Sequence, residues 1–388
     1  MRRAPQGRKR LTVTTSTPPQ APPEPVGPDS VLWEPLRMGS LDLPHRLAMA
    51  PMTRDRSAPD GTPNELNATY YRQRASTAVI ITEGTQPSAD GQGYLLTPGI
   101  YTDTHVEGWK KVADAVHAEG GRVIIQLMHV GRISHPDNTP HHRQPVAPSA
   151  VTPNTPMFTA GGMQPIPEPR ELTASEVGAT VEDYRNAAAC AIRAGADGVE
   201  IHGANGYLVH QFLSSNANRR TDQYGGSVAG RVRFAVEVAE AISGEIGAER
   251  TGLQISPGNP FNDVIEDDIP ELYGELIAAL SPLRLAYLNV AFGDDELRHH
   301  LRRKWPTALV NNRAGSAVSD RVADIQSGLA DVITLGTRTL ANPDIVDRIK
   351  NGYTLNEADK ETFYSGGAHG YTDYPEATHG PGGGPATV

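Results

Sequence analysis

The chain has 388 residues, one cysteine (Cys190) and a formal net charge of −10. A lone cysteine excludes an internal disulfide and any thiolate metal cluster, and the acidic balance argues against a nucleic-acid surface, which needs a basic stripe. With a mean hydropathy of −0.41, no run approaches the eighteen or so apolar residues of a membrane helix, so a small-molecule partner and a reducing, cytoplasmic setting are expected.

Residues 1–30 open with Arg2, Arg3, Arg8, Lys9 and Arg10 and continue as a tract rich in proline, threonine and serine. No apolar segment follows the basic residues, so the sequence predicts a solvated tail rather than a signal peptide. From Leu32 to Arg46, apolar and polar residues alternate around Gly39 and Ser40, which suggests a hairpin placed to plug a barrel floor. Short β-branched runs then recur with helical patterns between them. Strands are predicted at Arg46 to Met52, Ala78 to Gly84, Val123 to Met128, Gly198 to His202, Gly252 to Ser256, Ala286 to Val290, Thr307 to Val310 and Asp331 to Leu335. Their unbroken apolar character fits parallel strands covered on both faces, and eight of them close a (β/α)8 TIM barrel. Thr173 and Glu176 form a capping box for a helix that runs to Arg193 and stops at Gly195. The connection from His129 to Glu171 far exceeds the usual two to six residues. It leaves the third strand on the side where barrels build their sites, so it is expected to form a lid or substrate wall. The fold is one α/β domain over residues 31–378, followed by a second tail at 379–388.

The densest chemistry is His202-Gly203-Ala204-Asn205-Gly206-Tyr207 at the end of the fourth strand. Histidine and asparagine three apart can aim two N–H donors at one oxygen, and a tyrosine two residues further can deliver a proton. Such a trio suits a reaction that builds negative charge on a carbonyl oxygen; taken alone, it reads equally as a turn around a satisfied core histidine. His129, His135, His141, His142, His202 and His210 crowd the same half of the chain, but their spacing matches no metal motif and no acidic partner accompanies them, so no metal is expected. No GxSxG elbow supports a serine hydrolase, and Gly91-Gln92-Gly93 lacks the third glycine and the following helix of a dinucleotide fingerprint.

The segment HGANGYLVHQFLSSNANRRTDQYGGS resembles the signature of the old yellow enzyme family. PMTR (Pro51 to Arg54), ITEGTQPS, TPGIYT, QLMHVGRIS (Gln126 to Ser134), NPD (Asn342 to Asp344) and YSGGAHGYTDYP (Tyr364 to Pro375) extend the likeness over nearly the whole chain. The resemblance implies FMN at the barrel mouth, reduced by NADH or NADPH and reoxidised by hydride transfer to an activated alkene such as an enone. The dinucleotide would visit the same pocket as the substrate. It further implies His202 and Asn205 as the carbonyl-binding pair and Tyr207 as proton donor. By the same resemblance, Pro51, Met52, Thr53, Gly84, Gln126, Gln254, Asn312, Arg313, Gly336, Thr337 and Arg338 contact the flavin, and Tyr94, Met128, Phe261 and Tyr371 face the substrate. A homo-oligomer is compatible with it.

Departures from the family concentrate on the cofactor. Gln254 stands where relatives usually carry an arginine, and Met128 where they usually carry a tryptophan. Asn311-Asn312-Arg313-Ala314-Gly315 replaces a glycine-rich turn, and the family's GR reads Gly336-Thr337 with Arg338 one place later. Arg313 and Arg338 are expected to restore the lost phosphate contacts, with FMN held weakly. The alternative is a barrel that keeps the His/Asn/Tyr proton chemistry without flavin-driven hydride transfer, as an isomerase, cyclase or binding protein.

Overall fold

Short apolar strands need cover on both faces, and this chain provides it by closing its sheet. The computed structural model describes residues 26–377. Its eight parallel strands form a closed barrel: β1 (Leu47–Met49), β2 (Ile80–Ile81), β3 (Val123–Leu127), β4 (Gly198–Gly203), β5 (Thr251–Ile255), β6 (Tyr287–Val290), β7 (Ala308–Asn311) and β8 (Val332–Leu335). The strands follow chain order, and β8 closes onto β1 with Ile333, Thr334 and Leu335 opposite Leu47, Ala48 and Met49. Every predicted strand is present. β1 stops short of the expected Met52 because Pro51 has no N–H to give the ladder. The predicted tails fall outside the described residues, apart from 26–30.

The N-terminal hairpin pairs Leu36–Met38 with Leu41–Leu43. Its turn needs Gly39, whose φ is +57° and where a Cβ would stand 2.2 Å from the Glu249 carbonyl oxygen. Met38 and Leu43 pack with Ala48, Ile124, Tyr287, Val310 and Val332, so the hairpin does seal the barrel floor. Burying a side chain of this size stabilises the fold by about 1.5–3 kcal/mol.

Around the barrel, α1 (Ala174–Arg193) starts at the expected capping box, with Thr173 and Glu176 satisfying each other's backbone N–H groups. A second layer of core joins α1 to α2 (Leu208–Leu213) and α3 (Val228–Ile246) through Tyr184, Phe212 and Phe234. Among the described residues no helix is long and apolar enough to cross a membrane.

The long connection after β3 is ordered. It carries an antiparallel hairpin, Pro156–Thr159 with Gly162–Pro165, and is tied to the loop after β5 by Arg132, which donates to Val151 O at 3.1 Å and Asp263 O at 2.6 Å. Met157 and Ile166 from this connection pack with Met128 and Tyr207, which makes it a wall of the barrel mouth. A second wall comes from the C-terminal segment. Buried Arg54 donates to the carbonyls of Phe363 (3.0 Å) and Gly370 (2.9 Å), and Arg56 to those of Gly367 (3.0 Å) and Thr362 (2.6 Å). Both guanidiniums also lie over the Tyr371 ring.

Candidate active site

The loop leaving β4 is fixed atom by atom. Asn205 sits at φ +55°, a left-handed conformation that asparagine tolerates better than most residues. Its N–H donates to Ser256 Oγ (2.8 Å), its carbonyl accepts from Asn262 Nδ2 (2.8 Å), and its side-chain oxygen accepts from Asn259 Nδ2 (2.9 Å). Among the described residues the Asn205 Nδ2 donor has no hydrogen-bond partner. Gly206 N–H donates to His210 Nδ1 (2.9 Å), and Gln211 donates to Gly206 O (2.8 Å). At His202, Nδ1 accepts the Ala204 N–H at 3.2 Å. That bond selects the tautomer with the proton on Nε2. Burial holds the imidazole neutral, its pKa lowered to about 3, so His202 is a neutral donor at physiological pH.

Tyr207 stands edge-on to the His202 ring with centroids 4.9 Å apart. Its hydroxyl is 2.8 Å from that of Tyr94, and burial raises its pKa to about 12, so it keeps its proton. Met128 shares a cluster with Tyr207 and Tyr94. It lies over Gly84, where a Cβ would come 2.5 Å from the Met128 sulfur, so a larger residue there would push the Met128 side chain aside. Phe261 lies on the rim, largely exposed.

Inside the barrel, below this level, a polar cluster spans four strands. Gln126 on β3 donates to Glu200 Oε1 (2.8 Å) and to Gln254 Oε1 (3.2 Å), while Asn289 on β6 donates to Glu200 Oε2 (2.9 Å). Glu200 is fully buried, and burial raises its pKa to about 7. Gln126 Oε1 and Gln254 Nε2 have no hydrogen bond within the described protein.

At the ends of β7 and β8 the side chains are cationic. Arg313 is committed: it binds Asp324 through Nε (2.5 Å) and Nη2 (2.8 Å), and Asp295 through Nη1 (2.7 Å). Arg321, on α4 (Val318–Gln326), donates to Thr334 O at 2.5 Å but leaves Nε buried and unpaired. Burial and then the neighbouring Arg338 charge lower its pKa to about 10. Arg338 has no carboxylate partner among the described residues. Arg338 and Arg321 thus bring like charges to one strand end, tempered by Asp324 and Asp320, and guanidiniums are the groups best suited to a bidentate anion.

Residues 31–356 match the model of the NADH:flavin oxidoreductase / NADH oxidase family. A probable flavin mononucleotide-dependent alkene reductase from Leishmania infantum is 40% identical over 354 residues, 89% of this chain and 97% of that relative. The 12-oxophytodienoate reductase 7 of Oryza sativa subsp. japonica is 38% identical over 372 residues, covering 89% and 94%. Morphinone reductase in complex with tetrahydroNAD superposes with a TM-score of 0.86 at 41% identity, covering 90% of this chain and 99% of that one. The old yellow enzyme homologue of Zymomonas mobilis gives 0.85 at 35% identity, with 89% and 99% covered. The chain belongs to the NADH:flavin oxidoreductase family.

It is a flavin oxidoreductase of the old yellow enzyme type, and its mouth corrects two expectations. Tyr371 does not face substrate: it is fully buried, stacked on Tyr70 at 4.2 Å, with its hydroxyl accepting from Asn67. Tyr364, on the same C-terminal segment, is exposed and bears electrostatically on both Tyr94 and Tyr207. Its place in the YSGGAHGYTDYP motif was the only sequence signal for it. Arg313 is not available to replace lost phosphate contacts, because Asp324 and Asp295 occupy its donors. The cation that sequence reading missed is Arg321, which reaches the β8 end from a helix rather than from a strand-end motif.

Proposed function

We propose that this family member is an ene-reductase for enone-type substrates, with FMN held by Thr53, Gln126, Gln254, Arg321 and Arg338. The donor set fits that group. Gln126 offers an unused acceptor and Gln254 an unused donor side by side, matching the alternating polar edge of a pyrimidine ring. The half-buried Thr53 hydroxyl has no hydrogen-bond partner among the described residues, and the Arg321/Arg338 pair suits a dianionic phosphate. Pro51, Met52, Gly84, Asn312, Gly336 and Thr337 frame the same strand ends. When bound, FMN supplies reversible storage of the hydride that NADH or NADPH brings and an alkene accepts.

The chain's own part is to bind and polarise the substrate. His202 Nε2–H and Asn205 Nδ2–H are the two free donors of the β4 loop, and both point their chemistry at one acceptor, the carbonyl oxygen of the enone. They stabilise the charge that gathers there as hydride reaches the β-carbon. Tyr207, still protonated at neutral pH, delivers a proton to the α-carbon, and Tyr94 at 2.8 Å orients the phenol. The observation that carries this reading is His202: neutral, buried and with its donor tautomer fixed by Ala204 N–H. Tyr94, Met128, Tyr364 and Phe261 shape a pocket for a cyclic enone, the class to which the morphinone and 12-oxophytodienoate of the relatives' names belong. A reducing, cytoplasmic setting suits the single cysteine.

The test is direct. Protein incubated with excess FMN at low salt should turn yellow, bleach anaerobically with NADH or NADPH, and recover its colour on addition of 2-cyclohexenone. Protein that stays colourless would favour the non-redox use of the same trio; protein that bleaches but is not reoxidised by any cyclic enone would reject the substrate class.

A further inference from the structure

Glu200 has no part in the reaction described so far, yet it is among the most deeply buried acidic groups of the barrel. Its carboxyl is fully enclosed. Gln126 reaches it from β3 and Asn289 from β6 through neutral amides, and Tyr287, also on β6, brings its phenol to the same carboxyl. Gln254 on β5 meets it through Gln126. The titratable neighbours are two. The Tyr287 phenol lies against it and is pushed far up by burial and by Glu200 itself; His202, two residues along β4, is neutral. No lysine, arginine or second carboxylate bears on it.

A buried ionised carboxylate with no cation beside it is expensive, and two amide donors and the Tyr287 phenol offset only part of that. The neutral acid has an acceptor within reach: Asn289 Oδ1 is buried without a partner among the described residues, and turning that amide over would let it accept a Glu200 hydroxyl. The site therefore has hydrogen-bonding partners for either protonation state. Its outer atoms, Gln126 Oε1 and Gln254 Nε2, are the ones assigned above to the flavin.

We propose that Glu200 is a redox-linked proton site, taking up a solvent proton when the bound FMN is reduced and releasing it when the alkene reoxidises the enzyme. The inference rests on the flavin reading above. Hydride from the nicotinamide carries two electrons and one proton, and its transfer leaves one more negative charge at the mouth; the carboxylate becomes –COOH and cancels it. On turnover the hydride leaves for the β-carbon, Tyr207 supplies the other proton and regains one from solvent, and Glu200 returns its own to solvent. A negative charge near a buried acid raises its proton affinity, and by reciprocity protonation favours reduction. A fixed cation would stabilise the reduced state at every pH, whereas Glu200 does so only while it holds a proton.

The experiment is the flavin midpoint potential against pH, for the FMN-loaded wild type, Glu200→Gln and Gln254→Arg. Below about pH 7 Glu200 is protonated in both states, and the wild type should parallel Glu200→Gln. Above it, one extra proton accompanies two electrons, so each tenfold fall in proton activity should lower the wild-type potential by up to about 30 mV more than that of Glu200→Gln. Gln254→Arg, which sets a cation beside the carboxylate and holds it ionised, should also lose the extra slope, and it serves if Glu200→Gln does not fold. Infrared spectra of the FMN-free protein should show a protonated carboxyl band titrating near neutrality and missing from Glu200→Gln. Parallel potential lines across the whole range in loaded protein would overturn the coupling alone, as would a carboxyl ionised throughout. Protein that never takes up FMN would overturn the flavin reading and the coupling together.

Discussion

At the end of β4, backbone and side chain are tied so completely that Asn205 has one unused donor and His202 has one unused N–H. At the ends of β7 and β8 the reverse holds: Arg313 is consumed by two carboxylates, while Arg321 and Arg338 make no ion pair among the described residues, although the charges of Asp324 and Asp320 bear on Arg321. The first region is organised before any ligand arrives. The second holds unneutralised charge that an anion would relieve. The difference teaches that the proposed substrate donors are positioned by the protein alone, whereas the proposed phosphate end keeps cationic groups that a ligand would relieve.

The largest effect should come from the organised side. Tyr207→Phe removes the proposed proton donor but leaves the loop bonds intact, so the oxidative half-reaction with an enone should slow by roughly a hundredfold or more while reduction by NAD(P)H is spared. Stopped-flow traces with an unchanged oxidative rate would remove Tyr207 from that role.

On the charged side, Arg338→Ala should weaken FMN binding by about 1.5–3 kcal/mol, the range for hydrogen bonds to charged groups, and the remaining affinity should fall further with salt. Arg313→Ala is the control that sharpens the contrast. It should leave FMN affinity within about fivefold and lower the melting temperature, because Asp324 loses its cation. Fluorescence titration that ranks the two variants the other way would reverse the assignment of the phosphate cation.

His202→Ala and Asn205→Ala should each weaken the binding of phenols, which imitate the developing enolate, by about 1–3 kcal/mol. Wild-type affinity in calorimetry for both would break the two-donor picture.

The smallest expected effect concerns pH. His202 and His129 are buried and neutral in the fold, with pKa values lowered to about 3 and about 4. As pH falls below about 6.5 the unfolded chain takes up protons that the native protein does not, so stability is full above that point and is lost below it, by about 1.4 kcal/mol per pH unit for each histidine. Denaturant melts of His202→Gln should show a shallower decline between pH 6 and pH 4, roughly by one histidine's share. An equal decline would mean that His202 is charged in the folded protein.

The barrel was legible because β-branched runs, the Thr173 capping box and the Gly39 turn are local signals that the tertiary structure did not override. The three residues proposed as the carbonyl trio could be singled out because they sit within six residues at one strand end. What escaped depends on the fate of side chains. Arg313 occupies the right strand end, but nothing in its own segment shows that Asp324, eleven positions on, takes its donors. Tyr371 and Tyr364 belong to one motif, and only the packing of Tyr371 on Tyr70 separates core from pocket. Glu200 gave no signal at all, since an acidic residue inside an apolar strand becomes unusual only once its neighbours prove to be neutral amides.

The clasp of Arg54 on Phe363 joins residues 309 positions apart, and it fixes when the pocket can exist. Contacts of such long sequence separation form late in folding, so the strands and the β4 loop can assemble on a growing polypeptide while the wall carrying Tyr364 is still unsynthesised. The arginines on the first barrel loop wait, with their carbonyl partners missing, until the segment around 362–371 emerges and docks. The wall carrying Tyr364 is therefore completed only after the barrel strands have been made, and a nascent chain arrested before residue 362 would hold a nearly complete barrel whose mouth is open on one side.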